Sequence, residues 1–207
     1  PDAFIVSPEP PSFFEDVPIP TSFVRLFRNC FTTVREDLST DVYYLNSFRE
    51  PPSRVYTTGQ TSGGSLEPDG SNFAEVLWQL GDEPVHFVDP RSKTEHRLPL
   101  SEMTDFVLRE VLELRQPVRV RQAAKDILEV KVHTLGPESF PVALPDVGLG
   151  YNQILPVVLQ GLLTPPRGLV IFEQPEIHLH PDVQAKLIRF FVGLARAGRR
   201  VLVETHS

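Results

Sequence analysis

The chain has 207 residues, 41% of them hydrophobic, and a formal charge of −7. That is enough apolar material for a substantial core in one domain, and the mild acidity excludes a uniformly basic nucleic-acid binder while leaving room for a local basic face. Cys30 is the single cysteine, so no intrachain disulfide can form; with neither an apolar run of about 18 residues nor a charged and then apolar leader, the expectation is a cytoplasmic protein without a membrane span.

The opening AFIVSPEPP reads as a short edge strand that begins without a start signal, as if cut from something longer. From Thr21, Phe23, Leu26, Phe27, Cys30, Phe31 and Val34 keep the spacing of one buried helical face, which puts Cys30 in a core. Val42 to Phe48 is expected as a strand. The stretch from Pro51 to Gly70, rich in Pro, Ser, Thr and Gly, is expected as a long loop. Ser71 is placed to cap a short helix carrying Phe73, Val76, Leu77 and Leu80 and stopped by Gly81, with Trp78 read as a packing rather than a recognition residue. A strand or hairpin is expected between Val85 and Pro99. Met103, Phe106, Val107, Val111 and Leu114 then trace an amphipathic helix ending before Pro117. Arg115, Arg119, Arg121 and Lys125 form a basic cluster that reads either as a solvated face or as phosphate contacts. Leu128, Val130 and Val132 alternate with Glu129, Lys131 and His133, predicting a strand with one wet face that carries His133.

The last 60 or so residues alternate glycine turn, apolar helix, apolar strand, amphipathic helix and apolar strand, the pattern of a parallel α/β unit. Within LVIFEQPEIHLH, Leu169 to Phe172 suit a central strand covered on both faces, which delivers Glu173 to the carboxyl edge of the sheet. Pro181 can open the next helix, with Val183, Leu187, Phe190, Phe191 and Leu194 facing the sheet, and Gly198 ends it. Val201 to Val203 should be a second buried strand that a right-handed crossover sets near the first, bringing Glu204, Thr205 and His206 to the same edge. Gly148 and Gly150 lie just before a helix expected to begin near Asn152. They leave backbone N–H groups open where a phosphate would be welcome, or else form a plain tight turn. Glu173 is a hard oxygen ligand suited to Mg²⁺ through water, or a capping or salt-bridging carboxylate.

The order VGLGYNQ, LVIFEQPE, IHLHP, VLVETHS resembles the carboxyl-terminal half of an ATP-binding-cassette-type AAA ATPase, in the overcoming-lysogenization-defect and RecF-like group, with signature turn, Walker B strand, D-loop and switch histidine in turn. The resemblance spans Asp146 to Ser207 and extends more faintly through YYLNSFREPP. It implies a P-loop NTPase-like α/β fragment: a mixed helix and strand region over residues 1–145, belonging to the signature-bearing subdomain, and a parallel-sheet segment over 146–207. It further implies ATP and Mg²⁺ as cofactors, with Glu173 supporting the metal through water. Gly148, Gly150 and Gln153 would meet the phosphate of ATP bound mainly by a second copy, and His206 would sense the γ-phosphate where the alternative is a packed histidine.

Gln174 departs from the family's pattern, which has a glutamate after the metal-supporting acid; an amide orients water but cannot take its proton. Glu176 is either a replacement base or a D-loop residue at a dimer contact. His178 and His180 read as metal ligands of a hydrolase or as helix-capping and interface groups. No G-x-x-x-x-G-K-[ST] occurs, and GQTSGGS at Gly59 lacks the lysine. The expectation is therefore that this chain alone is inactive and that a Walker A half lies upstream or in another chain. The intact protein would be an ATP-sandwich homodimer that switches a DNA-repair or anti-phage effector, such as a nuclease, with DNA as a further partner. The other readings are a nucleotide-sensing scaffold with little turnover and a metal-dependent hydrolase.

Overall fold

A computed structural model describes residues 42–59, 65–114, 116–133 and 140–206. The AFIVSPEPP segment, the helix expected from Thr21 with Cys30, and Arg115 of the basic cluster lie outside them. In chain order the elements are β1 (Val42–Leu45), β2 (Tyr56–Thr57), α1 (Phe73–Leu80), β3 (Pro84–Val88), β4 (Glu95–Pro99) and α2 (Leu100–Phe106), which runs into a π-helical turn at Val107–Val111. There follow β5 (Val118–Ala124), β6 (Ile127–His133), β7 (Pro141–Ala143), the single turn α3 (Leu144–Val147), α4 (Leu149–Leu163), β8 (Leu169–Glu173), α5 (Pro181–Arg196) and β9 (Arg200–Glu204).

The strands form three sheets. β8 is central in a parallel sheet between β1 and β9, and the register sets Tyr44, Ile171 and Leu202 in one row and Glu173 beside Glu204. β2, β6 and β5 form an antiparallel sheet with β7 on the edge of β6, and β3 with β4 makes the expected hairpin. In β6 the alternation is complete, with Leu128, Val130 and Val132 at most 1% exposed, because one face meets the core and the other does not. His133 on that strand is half-buried rather than fully wet.

Helix α4 is the axis of the molecule. Ile154, Leu155, Val157, Val158 and Leu159 are all fully buried, so the middle of the helix is packed on every side. It touches β1, β8, α1, α2, α5 and β3. One continuous core therefore joins the parallel sheet to the β3–β4 hairpin through Leu45, Phe172, Leu155, Phe190 and Phe87. α5 buries Val183, Leu187, Phe190, Phe191 and Leu194 as its spacing requires, with Pro181 in its first turn. Phe190 stacks on Phe87 at 5.9 Å between ring centres, tying the hairpin to the helix.

Several expectations are corrected. Among the described residues β8 is not covered on both faces: Val170 and Phe172 are sealed, whereas Leu169 and Ile171 are half-buried. On the same open face Leu202 is 55% exposed, so β9 is not a buried strand among the described residues. The reason is that α4 and α5 lie against a single side of the sheet. Trp78 is 45% exposed, on the outer side of α1, instead of packed. The N-cap of α1 is Asn72 and not Ser71, and no side chain caps the helix; the Asn72 amide folds back to accept from Glu67 N–H and donate to Ser65 O, both at 2.8 Å. Gly81 follows the last turn in ordinary right-handed geometry, so it stops the helix by position and not through a left-handed cap.

Candidate functional site

The polar end of LVIFEQPEIHLH is built by a strand, a left-handed residue and a turn. β8 stops at Glu173. Gln174 then takes φ 41°, a region costly for a residue with a side chain. Two backbone bonds hold it there: Gln174 N–H donates to Glu204 O at 2.8 Å, and its own carbonyl accepts from Ile177 N–H at 3.2 Å. The chain is thereby pinned to the end of β9, and Pro175 is buried beneath the turn.

Around that turn sit the residues singled out from the sequence. Glu173 is half-buried and takes a hydrogen bond from the Tyr44 hydroxyl, which, with burial and the nearby charges of Glu173 and Glu204, raises the pKa of that phenol. Glu176 Oε1 accepts from Thr205 Oγ1 at 2.7 Å and from His206 N–H at 3.2 Å. Burial pushes the Glu176 carboxyl up, but the hydrogen bonds from Thr205 and His206 outweigh it and leave the group below the usual glutamate range. Both of these bonds to Oε1 tie it to the end of β9. The His206 imidazole is 72% exposed, with Nε2 3.7 Å from Glu204 Oε1.

The glycine turn lies on the adjoining surface. Gly148, at φ 109° and ψ 159°, occupies backbone space reserved for glycine and is the N-cap of α4, which begins at Leu149 and not near Asn152. A Cβ placed on Gly148 would meet nothing within 4 Å, so the amino end of α4 faces open space there. Gly150 sits against the turn after β8, where a Cβ would come 4.0 Å from His178 O and from Leu179 Cδ2. Tyr151 is anchored inward, its hydroxyl donating to Leu114 O, and burial raises its pKa to about 12. Gln153, expected to meet a phosphate, is only 6% exposed, and its Oε1 has no hydrogen-bond partner among the described residues. Its side chain is buried in this structure, where it was expected to meet a phosphate in trans.

His180 is the N-cap of α5: its Nδ1 accepts from Asp182 N–H at 3.3 Å, the capping alternative and not the metal one. His178 is exposed at φ 60°. Among the described residues no group of three or more His, Cys, Asp or Glu side chains is placed to hold a metal ion, so the hydrolase reading finds no ligand set. A lone carboxylate at a strand end does suit Mg²⁺ that keeps most of its waters and takes its other ligands from phosphate. In the basic cluster, Arg119 pairs with Asp105 and Arg121 with Glu129.

One residue of the site was not singled out in the sequence, although it lies in the YYLNSFREPP segment. Arg49, on the loop leaving β1, is 7% exposed; its Nη2 donates to Gln174 O at 2.9 Å, and Nε reaches Gln153 O at 3.4 Å. Burial lowers its pKa to about 10, opposed by the charge of Glu176, so it remains protonated at neutral pH. Asn152 makes a second tie to the same loop, with Nδ2 donating to Glu50 O at 2.7 Å.

An acid and an amide closing the central parallel strand, a histidine closing its neighbour and a glycine turn opening the helix between the layers together place this chain among P-loop NTPase-like α/β domains. Comparison with family models makes that specific: residues 26–207 match the family described as AAA domain, putative AbiEii toxin, Type IV TA system, and the chain belongs to it. It is thus an AAA-type domain, a class whose members are nucleotide-binding P-loop NTPases. No curated protein matches the chain. No helix among the described residues is long and apolar enough to cross a membrane.

Proposed function

We propose that the chain supplies the signature, Walker B and switch-histidine half of an ATP-dependent, dimerising molecular switch. The observation that carries this reading is the junction at the ends of β8 and β9, where Glu173, Gln174, Glu176 and His206 are held in one hydrogen-bonded assembly. Glu173 would hold Mg²⁺ through water. When bound, Mg²⁺ supplies charge neutralisation on the phosphates. Gln174 orients water, and His206, whose imidazole is largely exposed, donates to a terminal phosphate. Gly148 and Gly150 present the amino end of α4 to a phosphate held by a second copy. The Walker A half would come from sequence outside these residues. DNA-repair or anti-phage effectors, such as a nuclease, fit the likeness to the overcoming-lysogenization-defect and RecF-like group.

Turnover should be slow, which favours a nucleotide sensor over a fast enzyme. Gln174 cannot accept a proton, and both hydrogen bonds to Glu176 Oε1 come from the end of β9. Sedimentation of the full-length protein tests the switch: with ATP and Mg²⁺ it should shift from monomer to dimer, and Gly148→Val should block the shift. An unchanged sedimentation coefficient under saturating nucleotide would contradict the sandwich.

A further inference from the structure

We infer that Arg49 is a positioning residue that couples the glycine turn of α4 to the Gln174 turn, an inference that rests on the ATP-switch reading. The guanidinium is more than nine-tenths buried, and its bonded donors reach carbonyls of the two segments that reading requires to act together. Gln174 O, which it holds, belongs to the strained φ 41° residue whose side chain would orient water. Gln153 O lies in the first turns of α4, behind Gly148 and Gly150. A movement of α4 driven at its amino end is therefore passed to the Gln174 backbone through one rigid planar group. The bonds from Asn152 to Glu50 O and from Arg49 to Gln174 O make the β1 exit loop the body through which the two turns are joined.

Arginine suits this task because its fixed fork spans two acceptors at once; lysine is a point charge on a flexible stem and answers one at a time. Lysine should therefore restore stability without restoring coupling. Arg49 touches no reacting atom, so its loss should appear in turnover and not in nucleotide affinity.

The test uses Arg49→Ala and Arg49→Lys in the full-length protein, read by hydrogen exchange, thermal melting and phosphate release. In Arg49→Ala, exchange should quicken together in residues 174–179 and in the first two turns of α4, while β5 and β6 keep their protection. Both variants should lower kcat about tenfold with KM for ATP within about twofold, and Arg49→Lys should recover the melting temperature but not kcat. Faster exchange in only one of the two segments, uniform loosening of the fold, or recovery of kcat by lysine overturns the coupling. If wild-type protein neither binds nor hydrolyses ATP, the nucleotide reading fails separately, and the exchange pattern still decides whether Arg49 joins the two turns.

Discussion

Glu176 accepts the backbone N–H of His206 at 3.2 Å, so the turn after the central strand holds the end of the neighbouring strand in place. The same oxygen takes the Thr205 hydroxyl at 2.7 Å. This makes Glu176 a latch between the end of β8 and the end of β9.

The latch should be pH-dependent. Because the folded carboxyl lies below its ordinary value of 4.5, its contribution is full above that value and is lost as pH falls through the lower, folded one. Glu176→Gln should lower the melting temperature at neutral pH, and the gap to wild type should close below about pH 4. A constant gap across a melting series from pH 7 to pH 3 would show that the bond to His206 contributes nothing through its charge.

Gln174→Glu restores a proton acceptor at the position where cassette-type ATPases carry one. Phosphate release by the full-length protein should rise about a hundredfold, the usual size of general-base assistance. A variant that binds ATP normally and hydrolyses no faster would assign the slow step to something other than proton removal.

Arg199 is 5% exposed and donates to Thr164 O, Leu162 O and His86 O, joining the end of α4 to the β3–β4 hairpin just ahead of β9. Burial lowers its pKa to about 10, which leaves it charged. Arg199→Met keeps much of the volume but strands buried carbonyls, so urea unfolding should show a loss of about 3 kcal/mol. A loss under about 0.5 kcal/mol would mean that water replaces the guanidinium at little cost.

Much of this arrangement is written in local periodicity. The apolar spacing of α5 and the alternation of β6 survive into the fold because each has one dominant burial face. The acid, the amide and the histidine were legible because strand ends are where apolar runs stop. Coverage of a sheet was not legible: four apolar residues in a row look the same whether helices sit on one face or two, and hence Leu202 and Ile171 were misjudged. Trp78 was assigned by its type, and the fold leaves it outside. The burial of Arg49, within YYLNSFREPP, was not legible for a different reason. Its partners lie 104 and 125 residues away, and a single arginine in a proline-rich loop has no periodic neighbour to betray burial.

The claim that the carboxyl end of β8 is a nucleotide site is tested most directly by titrating ATP into full-length wild type and Glu173→Gln, each with and without Mg²⁺, by calorimetry. The account predicts that Mg²⁺ tightens binding to wild type about tenfold or more and leaves binding to Glu173→Gln unchanged, with the two proteins equally folded by circular dichroism. Equal Mg²⁺ dependence in both would contradict it.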